Sequence, residues 1–348
     1  MFHRKMSEPI QGVIVPTITF FEEGGKVDPF ANEVLIRHIL ENGADVLFLM
    51  GSTGEGLYFN KVESQKKAKY LREVQKVLGN IEDKKQIVIG VYGKKPKHVI
   101  KDIENCSKEI SDAGFVIPPP KDRKLDTMEQ IEFFGKIIEN KQGKEIYLYN
   151  NPNSFGGTEI SEKALEELKK YNNLKGIKDS SGTLEQKKMY LSFLSEDFSV
   201  SCGKEGMMGE FLKIIPEEKR EMAGLVPSIS NLINVPKKIF KLGKAARDEE
   251  MLKLQEELNS FRNNIYDATE PKGKAQRGVK IALKYLYGEQ WEDLYENFHG
   301  EAKKGPNPIT LFISPSLQRT VEKETKQNMF NTIDYIRKKG YINTIKRD

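Results

Sequence analysis

Short apolar runs alternate along this chain with longer stretches in which apolar residues recur every three or four positions. The short runs fall at 12–17, 44–51, 87–93, 114–118, 146–150, 174–179, 198–203 and 221–226. Several are nearly continuous in apolar residues, as expected of strands covered on both faces. Between them, 60–78, 98–113, 127–138, 161–171, 184–194 and 232–242 carry helical spacing. Repeated strand-then-helix units predict a parallel α/β fold, and eight strands favour a closed (β/α)8 TIM barrel. An open doubly wound sheet is the alternative, but no Gly-x-Gly-x-x-Gly follows the first strand.

After Val226 the pattern predicts two further helices, 245–265 and 272–287, joined near Glu270-Pro271. Gly305-Pro306-Asn307-Pro308 marks a break, and 316–336 predicts one more helix. The expected organisation is a barrel over 10–230, C-terminal helices over 231–300 and an additional helical tail over 301–348. That tail is expected either to cap the barrel or to contact another subunit.

Composition narrows the picture. The 348 residues exceed one average domain yet fit a single barrel of about 250 residues with additions. A hydrophobic fraction of 38% and a charged fraction of 31% suit a globular protein with a lysine-rich surface. The net charge of +5 is dispersed, because stretches such as 159–170 intermingle both signs on one helix face. Arg337-Lys338-Lys339 closes a predicted helix, where cations complement the dipole, so no nucleic-acid partner is expected. No run of about 18 apolar residues is present, so no membrane span is expected. Residues 1–9 lack the apolar core of a secretory signal, and a cytoplasmic location is expected.

Cys106 falls in a predicted helix and Cys202 in a predicted buried strand, which suggests neither a disulfide nor a thiolate metal site. His3, His38, His98 and His299 show no metal-ligand spacing. Neither a metal nor a cofactor is expected.

Active sites of such barrels form at the C-terminal ends of the strands. Three polar segments occupy that position. Gly51-Ser52-Thr53-Gly54-Glu55-Gly56 follows strand two, and its glycines, hydroxyls and turn amides suit a bound carboxylate or an ordinary tight connection. Tyr147-Leu148-Tyr149-Asn150-Asn151-Pro152 ends strand five; strand alternation points both tyrosines the same way, for packing or for proton relay. Lys178 lies near the end of strand six, where a partly desolvated amine attacks a carbonyl to form an imine, or simply pairs with a neighbouring acid. Strands five and six should be neighbours, so Tyr149 and Lys178 can meet at the mouth with the strand-two loop opposite. Gly203-Lys204-Glu205-Gly206, after strand seven, is placed to face the variable part of a substrate.

Together these segments resemble the family of dihydrodipicolinate synthase and N-acetylneuraminate lyase, class I pyruvate-dependent aldolases. The matching residues are Gly51-Ser52-Thr53-Gly54-Glu55, Tyr149-Asn150-Asn151-Pro152 and Gly176-Ile177-Lys178-Asp179-Ser180-Ser181-Gly182, and their order and spacing cover roughly residues 10 to 300. The resemblance implies Lys178 as imine lysine, Tyr149 as proton shuttle, and Ser52 and Thr53, with Gly51, at the pyruvyl carboxylate. It also implies small-molecule substrates, pyruvate and an aldehyde, and a homotetramer built as a dimer of dimers. Two positions depart from the lysine-pathway synthases: Ser154 stands where they place an arginine, and Pro118-Pro119-Pro120 where they carry tyrosines of a relay across the dimer. The tail beyond about residue 300 has no counterpart in the family pattern.

Three functions are compatible with these residues. The first is a lyase that cleaves or forms a 2-oxo-3-deoxy sugar acid or acylneuraminate. The second is a synthase condensing pyruvate with aspartate semialdehyde, against which Ser154 argues. The third is a barrel that binds a 2-oxo acid without catalysis.

Overall fold

A computed structural model of the chain describes residues 9–22, 26–59, 64–79, 85–266, 274–288 and 323–345. Eight strands close into one parallel barrel in sequence order: β1 (Gly12–Pro16), β2 (Val46–Leu49), β3 (Gln86–Gly90), β4 (Gly114–Ile117), β5 (Ile146–Asn150), β6 (Leu174–Asp179), β7 (Ser199–Cys202) and β8 (Gly224–Leu225). The (β/α)8 barrel expected from the pattern is therefore the observed fold.

Period-two alternation sorts each strand into two environments. One set of side chains fills the barrel: Ile14, Val46, Phe48, Val88, Val116, Tyr147 and Tyr149, with Val226 just beyond β8. The other set, including Val13, Leu47, Ile89, Phe115, Leu148, Ile177 and Val200, packs under the surrounding helices. Because both faces are buried, the strands read as apolar runs rather than as alternating ones. Large interior side chains need small neighbours. A β-carbon on Gly114 would come within 3.0 Å of the Tyr147 ring, and one on Gly224 within 2.7 Å of Ile14 Cδ1.

The helices are α1 (Pro29–Glu41), α2 (Gly56–Phe59), α3 (Ser64–Gly79), α4 (Pro96–Glu109), α5 (Thr127–Asn140), α6 (Glu162–Leu168), α7 (Leu184–Leu191), α8 (Met208–Lys213), α9 (Val235–Lys244), α10 (Asp248–Ile265), α11 (Lys274–Tyr287) and α12 (Lys323–Lys338). Their caps follow ordinary rules: Asp126 and Glu129 form a reciprocal capping box on α5. Ser161 caps α6 through Ala164 N–H.

Several expected boundaries move. The strand expected at 221–226 shortens to Gly224–Leu225, because Glu217–Met222 winds into a 3-10 turn. Buried Arg220 anchors that turn by donating to Ile215 O, Gly243 O and Asp248. The helix expected from 245 begins at Asp248, since Ala246 has φ 54° and breaks the register. The helix expected at 232–242 runs as Val235–Lys244, after a 3-10 turn at Ser228–Asn231.

Helix α1 has no counterpart among the expected elements. It is capped by Asp28, whose carboxylate accepts from Ala31 N–H, with Pro29 following. Its buried set includes Asn32, Glu33 and His38, so its inner face is not uniformly apolar. The starts of the helices expected at 60–78, 272–287 and 316–336, the Glu270-Pro271 junction and the break at 305–308 lie outside the described residues.

The C-terminal segment is stitched to the barrel's periphery. Asn234 N–H donates to Tyr341 O at 2.9 Å, and Asn42 exchanges two 2.9 Å bonds with the backbone of Asn343. Tyr287 OH accepts from Ile345 N–H and bonds to His38 Nδ1 at 2.6 Å. Among the described residues, no helix is long and apolar enough to cross a membrane.

Candidate active site

The register of β5 on β6 sets Tyr149 opposite Lys178, and that of β6 on β7 sets Lys178 opposite Ser201. All three belong to the inward-facing parity of their strands. The Lys178 Nζ lies 4.1 Å from the centre of the Tyr149 ring and 4.9 Å from that of Phe48. Two aromatic faces against an amine restrict its rotamers and displace water from it. The stem borders a small cavity with Phe48, Val88, Val116, Tyr147 and Val226, so the strand ends beneath the amine are apolar. Tyr147 points the same way as Tyr149 but lower in the barrel, where its hydroxyl donates to Glu145 and accepts from Ile10 N–H.

The phenol of Tyr149 is where the three segments converge. Burial pushes its pKa up, but the Lys178 ammonium, the hydrogen bond from Asn151 and the nearby Ser180 and Ser52 hydroxyls outweigh burial and leave it below the ordinary tyrosine value. Asn151 Nδ2 donates to the hydroxyl at 2.9 Å. The Ser52 hydroxyl is fully buried and lies within reach of the phenols of Tyr149 and Tyr92, easing the ionisation of each. It completes no hydrogen bond of ordinary geometry.

The strand-two loop is tightly folded. Met50 has φ 54° and Glu55 φ 58°, and a β-carbon on Gly56 would lie only 1.8 Å from Met50 O. Glycine is obligatory there. Gly51 sits against the Phe48 ring, and Thr53 Oγ1 bonds to Ser228 Oγ at 2.9 Å, linking the loop to the turn after β8. Glu55 is buried in an ion pair with Lys280 of α11 at 2.9 Å, and Gln276 of the same helix donates to Ser52 O. Burial holds the Lys280 pKa below the ordinary lysine value despite the attraction of Glu55. Helix α11 thus fixes the loop from behind.

A second buried pair stiffens the end of β6. The Asp179 carboxylate accepts from Lys187 Nζ and Ser181 Oγ at 2.7 Å each, from Asn150 Nδ2 at 2.8 Å and from Ser181 N–H at 2.9 Å. Lys178 itself does not pair with this acid, which is committed to Lys187. Gly203 of the next strand end lies beside the lysine: a β-carbon there would fall 2.9 Å from Lys178 Cε and 2.1 Å from Ser180 Oγ.

Glu205 departs from the expectation that its segment faces a substrate. Its carboxylate accepts from Tyr266 OH and from Ile229 N–H and lies 3.0 Å from Arg262 Nε. Burial nevertheless raises its pKa above the ordinary carboxylate value, against the Arg262 charge. It braces α10 against the strand-seven loop.

Five groups of the site were not singled out by sequence reasoning: Phe48, Tyr92, Phe155, Lys187 and Lys280. The first two carry a readable signal, because parity along β2 and β3 places Phe48 and Tyr92 on the inward face with Val46 and Val88. Phe155 follows a turn, and its contact with both phenolic rings has no local signature. Lys280 is 225 residues from its partner.

Residues 9–291 match the model of the dihydrodipicolinate synthetase family. Over 198 residues the chain is 29% identical to a 2-dehydro-3-deoxy-D-gluconate/2-dehydro-3-deoxy-phosphogluconate aldolase of Picrophilus torridus, covering 57% of this chain and 70% of that protein. It is 27% identical over 224 residues to a 4-hydroxy-tetrahydrodipicolinate synthase of Alkaliphilus oremlandii, covering 61% and 74%. Among solved structures, a dihydrodipicolinate synthase from Bacteroides thetaiotaomicron superposes with TM-score 0.76 at 18% identity, covering 95% of this chain and all of that one. The 2-keto 3-deoxygluconate aldolase of Picrophilus torridus superposes with TM-score 0.66 at 22% identity, covering 80% and 93%. At those identities the superpositions speak for the fold.

Proposed function

From the premise that the chain belongs to the dihydrodipicolinate synthetase family, we propose that it is a carbon–carbon lyase acting on a 2-oxo-3-deoxy sugar acid or acylneuraminate through an imine of pyruvate on Lys178. The observation that carries this reading is the amine of Lys178, 4.1 Å from the centre of the Tyr149 ring inside the barrel mouth.

In the cleavage direction, the neutral Lys178 amine attacks C2 of the 2-oxo acid and forms a carbinolamine. Tyr149 gives a proton to the departing hydroxyl, which leaves as water and leaves an iminium. The resulting tyrosinate takes the proton of the C4 hydroxyl. The C3–C4 bond breaks, its electron pair moves into the iminium, and an aldehyde departs. Tyr149 gives that proton to C3 of the enamine, and water hydrolyses the resulting pyruvate iminium to free pyruvate and the ammonium, which returns a proton to the tyrosinate. A phenol more acidic than ordinary tyrosine suits both directions of proton transfer. Ser52 and Thr53 hold the carboxylate across the mouth, with Gly51 giving close backbone approach.

Ser154, exposed on the loop after β5, favours the sugar-acid reading over aspartate semialdehyde, because it offers no cation to a second substrate carboxylate. The full chain incubated with pyruvate and borohydride is expected to gain a covalent adduct by intact-mass measurement, and Lys178→Ala to gain none. An adduct on Lys178→Ala removes the lysine from the mechanism. A panel of sugar acids against aspartate semialdehyde then separates the lyase from the synthase, and binding with no turnover of either leaves a non-catalytic barrel.

A further inference from the structure

We infer that Asn231 closes the barrel seam at the mouth and, through Ser228, orients the Thr53 hydroxyl toward the substrate carboxylate. This inference rests on the proposed imine chemistry and adds positioning residues to it. The ladder between β1 and β8 is short, pairing Gly12 with Gly224 and Val13 with Leu225. On its other side β1 stays paired with β2 as far as Thr17, whose N–H donates to Phe48 O at 3.0 Å. β8 does not follow it. Val226 is succeeded by Pro227, which has no N–H to offer a ladder and leads into the 3-10 turn at Ser228–Asn231.

The side chain of Asn231, fully buried, supplies what the ladder lacks. Its Nδ2 donates to Pro16 O at 3.0 Å, and its Oδ1 accepts from Ile18 N–H at 2.9 Å. A residue paired in parallel with Thr17 would bond to those same two groups, one on each side of it. The amide therefore stands in for a peptide unit of β8. Its nitrogen also donates to Ser228 O at 2.9 Å, so one side chain holds both the exit of β1 and the turn after β8. Leaving such partners unpaired in the interior is costly.

Both of those segments bear on the strand-two loop. From the β1 side Thr19 Oγ1 donates to Gly54 O at 3.0 Å, and from the β8 side Ser228 Oγ bonds to Thr53 Oγ1 at 2.9 Å. Chemistry sets the direction of the second bond. A carboxylate only accepts, so Thr53 gives its single proton to the substrate and accepts from Ser228. Ser228 thereby keeps the Thr53 hydroxyl turned to the mouth, and Asn231 keeps Ser228 in place. Met50 and Glu55 of the same loop, at φ 54° and 58°, hold their conformations only with outside support of this kind. Ser228 acts through Thr53, and Asn231 through Ser228, so both are positioning residues.

The test is borohydride trapping of pyruvate on the full chain, followed against pyruvate concentration. Ser228→Ala removes the donor to Thr53 and is expected to raise the half-saturating concentration about fivefold, the effect of one modest hydrogen bond. The trapping rate at saturation should stay within about twofold, because the carboxylate is held equally before and during imine formation. Ser228→Thr restores the hydroxyl and should restore the parent value. Asn231→Asp keeps the acceptor for Ile18 N–H, loses both donations and should give a rise of similar size. Adding Ser228→Ala to it should cause little further rise. Asn231→Gln retains every bonding group on an arm one methylene longer, and takes the place of Asn231→Asp if that variant does not fold. Parent-like half-saturation in Ser228→Ala or in the Asn231 variant, a loss confined to the saturating rate, or multiplied losses in the double variant overturns the inference. If the unmodified chain traps no pyruvate at all, it is the proposed function that fails.

Discussion

Replacing Lys187 by methionine tests how the end of β6 is held. Lys187 is wholly buried in an ion pair with Asp179, whose side chain is 2% exposed, and the carboxylate accepts four hydrogen bonds in all. Methionine fills nearly the same volume, so the change removes one cation, leaves the carboxylate with three neutral donors and takes a donor from Ser181 O. Breaking a buried pair from one side costs about 3–5 kcal/mol, because the remaining charge is desolvated and uncompensated. Urea unfolding followed by far-UV circular dichroism, with stability taken from the midpoint shift, measures this directly. Adding Asp179→Asn to Lys187→Met removes the orphaned charge and is expected to recover about 1–3 kcal/mol. A Lys187→Met protein within about 1 kcal/mol of the parent would refute the argument, as would a double variant less stable than Lys187→Met alone.

Two further perturbations probe separate parts of the molecule. Gly203→Ala sets a β-carbon 2.9 Å from Lys178 Cε and 2.1 Å from Ser180 Oγ, so one of them must shift. Overpacking of this kind costs about 1–3 kcal/mol, and displacing the amine is expected to lower kcat/KM by about 10–100-fold; unchanged steady-state kinetics would break the steric link. Burial depresses the pKa of His38 to about 4, against the bond to Leu232 O, so the unfolded chain binds its proton more readily. Stability should therefore fall as pH drops from about 6.5 to about 4, by about 3 kcal/mol, and His38→Gln should flatten that interval in urea midpoints measured against pH.

The barrel was legible because parallel strands buried on both faces appear as apolar runs, and the count of eight strands pointed to closure. Helix α1 was not legible, because Asn32, Glu33 and His38 occupy its buried face, where they bond to the backbone of neighbouring segments and to Arg37. Only its Asp28-Pro29 start carried a signal. Lys178, Tyr149 and Ser52 stood out because each lies at a strand end in a polar segment, and the registers set Tyr149 opposite Lys178. Tyr92 also lay within reach of the same alternation, one step past Gly90. The braces behind the site were beyond sequence reading: Glu55 meets Lys280, and Thr53 meets Ser228, across separations that only the closed barrel spans.

Phe155 bears on anyone who would retarget this enzyme. The loop after β5 invites grafting, since Asn153 and Ser154 are exposed. Yet the next residue is the wedge against which two tyrosine rings rest. A transplanted cassette that omits that aromatic would unseat both tyrosine rings. Positions 153 and 154 are free to diversify, and 155 belongs to the machinery.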